Sequence, residues 1–401
     1  MAASTIANLQ WLYKRVYADK VGDSAMRKHL LFNKLRKEGG FTGEAFFYPI
    51  RTTNPQGIAS TFASAQAAVS GSKGYQLQAS RKKKYGYITL DGEAMAAASN
   101  DAGAFKRLVT TETDGVLEEF VDSLAFDAFR DGNGVRGVRG SISSNTITLA
   151  TRDDARNFKI NMALASGPNA DGSSLNTHTG TITVTGVDED LGTVTVSSAA
   201  NMGSFADAHY LFRLGDTGGV CMEGLAAHFP LTTPGGGDSF RGINRSVAPH
   251  QLAGSRVDDS TLSVEEVIRL LATKISQRGK KADMAVMNPI KFEEMVRRTN
   301  AKTIYDGGGD SATIGFENIK IATAAGTVSV FPDADCPTNR TYVLNTSTLY
   351  IKHLQGLPHL VDDDGKVNLR LAAEDSIEAR VRAWSNMICT DPAANGVGAV
   401  Y

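Results

Sequence analysis

The cysteines and histidines are the residues whose types could support metal or nucleophilic chemistry, and their spacing predicts neither. Cys221, Cys336 and Cys389 lie far apart and share no metal-ligand spacing with any of the seven histidines. The sequence contains no HExxH motif and no local Ser-His-Asp or Cys-His pattern. We interpret the cysteines as buried thiols. Local spacing therefore predicts no catalytic residue, no metal site and no cofactor, although residues distant in sequence could still converge.

Three other clusters resemble ligand-binding loops without meeting their requirements. Gly132, Gly134 and Gly137 have the spacing of a dinucleotide fingerprint, but a helical pattern precedes them and a strand-like pattern follows. The glycines at 307–309 lack the lysine and hydroxyl of a phosphate-binding loop. The aspartates at 362–364 have no glutamate at the distance that a calcium loop requires. We interpret all three as turns or flexible tips.

One basic run has a composition that could make an ionic contact. It consists of Arg81, Lys82, Lys83 and Lys84. Three interpretations stay open, namely a solvated strand edge protected from aggregation, an ionic contact between subunits, and a contact with nucleic acid. An acidic face on a long helix downstream supplies complementary charge through Glu118, Glu119 and Asp122. We predict that the basic run of one chain meets these acids of a neighbouring chain.

Composition describes a globular chain of several domains. The chain has 401 residues, of which 42% are hydrophobic and 21% charged, which suits two to four domains. The net charge of −1 does not by itself drive binding to nucleic acid or membranes. No apolar run approaches the roughly 20 residues of a membrane span. Lys14 and Arg15 follow Trp11 too closely for a secretory signal, so we expect synthesis in a cytoplasm.

The segment from Asp101 to Asp131 organises the rest of the chain. It lacks proline, and its apolar residues recur at helical spacing, which predicts a helix about eight turns long, here called the spine helix. Asn100 or Asp101 is the expected N-cap, and Gly132 is expected to end the helix. The first 40 residues are predominantly basic and read as an arm that includes a short amphipathic helix near its start.

A long excursion precedes the spine helix. Strands are predicted at Glu44–Arg51 and Tyr85–Leu90, and the residues between them are rich in alanine and serine. Phe62 is the only large ring in the middle of this excursion. A two-stranded excursion with so little apolar bulk is not stable alone, so we expect it to lie on another surface, with Phe62 among the contacts.

After the spine helix the pattern changes twice. Residues 141–228 alternate threonine and valine between turn signals, which predicts a small inserted barrel or sandwich. Residues 253–365 alternate helical and strand patterns, including a helix at 261–277, which predicts a mixed sheet. The tail after Lys366 reads as a strand that returns to earlier parts of the chain.

This order of parts resembles the tailed-phage major capsid proteins of the Hong Kong 97-type fold. The resemblance covers nearly the whole chain. It is found in the excursion FASAQAAVSGSKGYQLQ, the helix GAFKRLVTTETDGVLEEFVDSLAFDAFRDGNG, the stretch ADMAVMNPIKFEEM and the segment IKIATAAGTVSVFPDADCPTNRTYVLN. It implies an α+β fold with an N-terminal arm, an extended β-hairpin E-loop, a peripheral domain that carries the spine helix, an axial domain and an inserted β-rich domain.

The resemblance also implies domain boundaries. They are an arm at 1–40, an E-loop at 41–91, a peripheral domain at 92–140, an inserted barrel-like domain at 141–228, a connector at 229–252, an axial domain at 253–365, and a C-terminal return to the peripheral domain at 366–401. Tyr305 and Asp306 are expected in an axial loop at the centre of each hexamer or pentamer.

The function implied by the resemblance is structural. Such a protein assembles as hexamers and pentamers into the icosahedral shell that encloses the double-stranded DNA genome of a tailed phage, and assembly takes place in the host bacterial cytoplasm. The implied partners are other copies of the chain, a portal protein, a decoration or cement protein, DNA bound without sequence specificity, and no membrane. A separate scaffolding protein is expected because the short N-terminus has no room for a fused one. The alternatives are an encapsulin-type nanocompartment shell and a β-rich carbohydrate-binding or enzymatic protein.

Overall fold

The computed structural model describes residues 29–91, 102–300, 319–323, 326–361, 368–370 and 375–401. Several predictions fall outside these residues: the helix near the start of the arm, the N-cap at Asn100 or Asp101, the contact residues Tyr305 and Asp306, and the turns at 307–309 and 362–364. Among the helices that lie inside the described ranges, none combines the length and hydropathy needed to cross a membrane.

The spine helix spans Ala102–Phe129, which confirms the prediction from apolar periodicity. Its C-terminal half is well buried, with Phe120, Leu124 and Phe129 all less than 6% exposed. These side chains pack with residues of the arm base and with both of the large sheets. The helix is therefore the common support of the fold, because it supplies apolar surface to elements that are distant in sequence.

The other α-helices in the described residues are shorter. They are Leu30–Lys34, Phe62–Ala67, Leu225–His228, Pro249–Leu252, Val264–Ser276 and Pro289–Asn300. The helix Val264–Ser276 begins with a capping box in which Ser263 and Glu266 satisfy each other's backbone N–H groups. It buries Val267 and Leu271 against the second sheet, in agreement with the helix predicted there.

The first sheet packs against the spine helix and has six strands. In the described residues these are Arg36–Glu38, Leu349–His353, Ser376–Cys389, His359–Leu360, Asn368–Arg370 and Lys82–Asp91. The long strand Ser376–Cys389 pairs antiparallel with Lys82–Asp91 from Ser376 opposite Asp91 to Ser385 opposite Lys82. The predicted return of the C-terminal segment to earlier parts of the chain is confirmed by this pairing.

The second sheet is mixed, as the alternation of helices and strands predicted. Its strand order is Ser255–Val257, Gly396–Ala399, Arg340–Leu344, Met284–Met287, Gly326–Pro332 and Ile319–Thr323. One member corrects the expected boundaries, because Gly396–Ala399 belongs to this sheet and not to the peripheral part to which residues 366–401 were assigned. A Cβ at Gly398 would lie 2.3 Å from Cγ1 of Val267, so glycine lets the helix pack closely on this strand.

A closed antiparallel barrel follows the spine helix. Its six strands, in order round the barrel, are Tyr210–Arg213, Val135–Ser143, Thr146–Leu149, Thr193–Val196, Ile182–Asp188 and Ala163–Gly167. Alternating apolar residues such as Ile147, Val194 and Val184 fill its interior. The turn that joins helix to barrel requires glycine at position 134, where φ is +78° and a Cβ would lie 1.8 Å from the carbonyl oxygen of Asp216.

The excursion is a two-stranded antiparallel ribbon of Ala45–Thr53 and Lys73–Ser80. The strand Lys73–Ser80, which was not predicted, closes the hairpin, whereas the predicted strand Tyr85–Leu90 belongs to the first sheet. The base of the ribbon lies on its own chain, where Tyr48 and Leu77 are buried with residues of the first sheet and the connector. The tip, from residue 51 to residue 72, is almost entirely exposed.

Candidate assembly surfaces and a buried charged joint

The ribbon tip presents apolar side chains to solvent. Thr61 caps the short tip helix by accepting a hydrogen bond from the backbone N–H of Ser64 at 3.3 Å. Phe62 begins this helix and is 84% exposed, while Ile58 and Val69 beside it are 90% and 71% exposed. Covering such a side chain with another apolar surface is favourable by about 1.5–3 kcal/mol. The tip is therefore a surface that gains stability when a second molecule covers it.

The basic run divides between surface and interior contacts. The Arg81 guanidinium donates to the carbonyl oxygen of Phe41 at 2.9 Å. Lys82 lies 3.2 Å from the Glu223 carboxylate. Lys83 is exposed, because alternation along the strand Lys82–Asp91 places it on the face opposite to Lys84. Among the residues predicted to reach a neighbouring chain, Lys83 thus presents its charge to solvent while Arg81 and Lys82 contact their own chain.

Lys84 occupies a buried ion cluster under the first sheet. Its Nζ lies 2.6 Å from Oδ2 of Asp127 and 3.4 Å from Oδ2 of Asp216. Burial alone would lower the pKa of Lys84, but the two carboxylates outweigh burial and raise it. Asp127 belongs to the spine helix and Asp216 follows the last barrel strand. This one ammonium group therefore ties the first sheet, the spine helix and the barrel together.

The acidic face of the spine helix is also engaged within the chain. Glu119 pairs with Lys159 at 2.5 Å and with Arg213, both from the barrel. Asp122 pairs with Lys159 at 2.5 Å. Glu118 is half-buried and has an interaction of its own. The contact between these acids and the basic run of another subunit stays a prediction, and it would have to compete with the pairs inside the subunit.

His29 clamps the base of the arm between two carboxylates. Its Nε2 lies 2.6 Å from Oδ1 of Asp122, and its Nδ1 lies 2.6 Å from Oδ2 of Asp335. Burial alone would lower the pKa of His29, but hydrogen bonds to both carboxylates raise it to about 9. The imidazolium thus joins the arm to the spine helix and to the loop after strand Gly326–Pro332. Asp333, whose pKa burial raises to about 6, faces the same joint and accepts the N–H of Leu31.

The joint predicts a stability that depends on pH. The pKa of His29 is raised on folding, so its favourable contribution is complete below the unfolded value near 6.5 and is lost as the pH rises through about 9. Urea unfolding of native protein and of His29→Gln should differ by of order 3 kcal/mol at pH 6, and the difference should shrink by pH 10. Because Asp333 is present in both proteins, its titration cancels to first order in the difference between their free energies of unfolding at each pH. A gap that does not change with pH would contradict this assignment.

Neither ion cluster was visible in the sequence. His29 and Asp335 are 306 residues apart, and Lys84 and Asp127 are 43 apart without a periodic relation. Only the fold brings them together, and no local motif marks such pairs. The position of Asp127, one turn after Leu124 and two turns after Phe120 on the apolar side of the spine helix, was the one available signal, because a lone carboxylate there needs a partner.

The described residues contain no group of histidine, cysteine, aspartate and glutamate side chains that could hold a metal ion. All three cysteines are free and buried, as predicted. Burial raises the pKa of the Cys221, Cys336 and Cys389 thiols well above their ordinary value, which keeps them protonated and poorly nucleophilic.

Comparison with known proteins identifies the fold. No family model matches the chain, and no curated protein matches it. Among solved structures, a chain of the cyanophage A-1(L) capsid asymmetric unit aligns with a TM-score of 0.59 at 10% identity, over 99% of this chain and 99% of that chain. The chain has the fold of a phage capsid protein. The predicted α+β capsid fold is therefore confirmed.

Two further solved structures also cover the chain. An encapsulin of Synechococcus elongatus, in the holo-SrpI complex, aligns with a TM-score of 0.48 at 8% identity, over 100% of this chain and 96% of that chain. A protein of Mycobacterium phage Ogopogo aligns with a TM-score of 0.48 at 10% identity, over 100% of both chains.

Proposed function

We propose that this chain is the major capsid protein of a tailed phage, and that copies of it assemble as hexamers and pentamers into an icosahedral shell around double-stranded DNA. The observation that carries the proposal is the exposed apolar tip of the ribbon, with Ile58, Phe62 and Val69, on a chain that has a capsid-protein fold. The tip and the surface that would receive it are different patches of the same chain, so they would form a head-to-tail interface. Repetition of such an interface by rotation closes rings.

The same proposal covers location and partners. The protein acts in the virion and assembles in the cytoplasm of the host bacterium, with a separate scaffolding protein, a portal protein and a decoration or cement protein. The ribbon is the E-loop, the sheet on the spine helix belongs to the peripheral domain, and the mixed sheet belongs to the axial domain. The near-neutral net charge suits a container for DNA. A strongly basic protein would bind the DNA phosphates tightly and hinder release of the DNA.

The role that we propose is non-catalytic. Buried charged residues such as His29 and Lys84 pair with carboxylates of other elements. Their positions suit a subunit that must keep its shape under load, because each pair joins parts of the chain that would otherwise move separately.

The assembly state of the purified protein tests this proposal. Sedimentation velocity and negative-stain electron microscopy should detect closed particles, or rings that convert to particles when a scaffolding protein is supplied. Particles isolated from infected cells should contain DNA, and particles that contain an enzyme instead would favour the encapsulin-type alternative. A protein that stays a compact monomer at all concentrations, with and without scaffold, would refute the shell function.

The predicted ionic contact between subunits is best tested at Lys83, because this side chain is exposed while Lys84 stabilises the subunit itself. We expect Lys83→Glu to leave thermal stability of the subunit within about 0.5 kcal/mol, since surface changes rarely do more. Each lost contact would cost up to about 1 kcal/mol, so assembly should become more sensitive to salt. An assembly yield that matches native protein from low to high salt would remove this contact.

A further inference from the structure

A cleft of about 460 Å³ lies where the end of the spine helix meets the barrel and the connector. Its walls come from the end of the spine helix with the start of the barrel, from Thr151 and Asp154 within the barrel, from Ala226 with the connector at 230–232, and from the segment 337–340 that leads into the second sheet. Neither large ion cluster described above opens into it. The cleft therefore belongs to none of the joints that hold the subunit together.

The guanidinium of Arg130 is one of the charged groups that line this cleft. One face of the group packs over the Phe126 ring at 4.5 Å, which fixes its orientation. Its Nε is shut off from solvent and has no hydrogen-bond partner. No carboxylate in the described part of the chain reaches ion-pair distance from it. Leaving such a donor unsatisfied is unfavourable, and more so for a charged group.

A second arginine, Arg340, lines the same cleft. Burial lowers the pKa of Arg130, and the charge of Arg340 lowers it further, while Asp154 opposes both effects. Burial in turn raises the pKa of Asp154. Asp131, the other acid at the cleft, is occupied by the backbone and side-chain N–H groups of Asn133. Two like charges are thus held near one another beside an open volume.

We propose that this cleft binds a tetrahedral oxyanion of the phosphate class. The two guanidinium groups offer N–H donors in planar forks that match phosphate oxygens, and an anion between them would offset their repulsion. Thr232, Thr338 and Asn339 also line the cleft and add hydroxyl and amide donors. A planar carboxylate would bind to one guanidinium group, whereas the four oxygens of a tetrahedral oxyanion can accept hydrogen bonds from donors on several sides of the cleft. A site for phosphate, free or carried by a larger molecule, follows from this arrangement.

The inference stands apart from the shell function, because it rests on the single subunit. Isothermal titration of the unassembled full-length protein with inorganic phosphate, at constant ionic strength, should show one saturable site. Sodium sulfate should compete for it, and sodium acetate should bind at least roughly tenfold more weakly. Absence of saturable phosphate binding, or acetate binding as tight as phosphate binding, would overturn the proposal.

Variants locate the site. Arg130→Gln should weaken phosphate binding by roughly tenfold or more, and Arg340→Gln provides an independent test if the first variant folds poorly. Arg297→Gln is the matched control, because Arg297 is a 76% exposed arginine on a helix surface outside the cleft. Its affinity should stay within about twofold of native protein, since a remote surface change shifts a binding energy little. Equal affinity in native protein and in both cleft variants would place the anion elsewhere and refute the assignment.

Discussion

Replacing Lys84 with methionine is expected to lower the free energy of unfolding of the subunit by about 3–5 kcal/mol, the cost of leaving one partner of a buried ion pair uncompensated. The side chains of Lys84 and Asp127 are 13% and 2% exposed, so solvent cannot replace the lost ammonium group. Asp216, 3.4 Å from the same Nζ, would lose its nearest cation as well. Urea unfolding near neutral pH, followed by circular dichroism, measures the change.

Two further variants isolate the cause of that loss. Lys83→Met is the matched control, because it removes an exposed lysine from the same strand and should change stability by no more than about 0.5 kcal/mol. The double variant Lys84→Met with Asp127→Leu removes both buried charges and should recover much of the loss. If Lys84→Met proved as stable as Lys83→Met, the cluster would not hold the sheet, helix and barrel together.

Replacing Phe62 with serine is expected to raise the threshold concentration for assembly at least roughly tenfold, since each lost apolar burial is worth about 1.5–3 kcal/mol. The subunit itself should keep its stability, because the ring is 84% exposed in the single chain and supports no core. Light scattering against protein concentration gives the threshold, and thermal unfolding reports on the subunit.

The control for Phe62→Ser is an exposed apolar side chain outside the ribbon. Leu191 lies in a barrel turn and is 70% exposed, so Leu191→Ser removes a similar apolar surface away from the ribbon. Its assembly threshold should match that of native protein. Equal thresholds for Phe62→Ser and native protein would show that the ribbon tip is not part of the interface.

Elements whose own residues determine their structure were predictable from the sequence. The spine helix at Ala102–Phe129 follows from apolar residues at 3.6-residue spacing, and the capping box at Ser263 marks a helix start. The barrel follows from alternating threonine and valine between turns. In each case neighbours in sequence carry the pattern, so no knowledge of distant contacts is needed.

Pairings between distant segments were not predictable in the same way. The ribbon partner Lys73–Ser80 does alternate, with Tyr75, Leu77 and Ala79 on one face, but the stronger pattern at Tyr85–Leu90 obscured it. The final strand Gly396–Ala399 has two glycines and no strand pattern of its own. Its Gly398 allows the helix Val264–Ser276 to pack closely on the strand, and this contact is apparent only in the folded structure. The His29 and Lys84 clusters depend on the fold itself.

The measurement that tests the account most directly is an electron cryomicroscopy reconstruction of particles assembled from the full-length chain. The account predicts a closed shell in which residues 51–72 of each subunit are covered by a different subunit, with Ile58, Phe62 and Val69 buried at that boundary. A reconstruction in which every ribbon tip stays in solvent, or folds back on its own subunit, would contradict it.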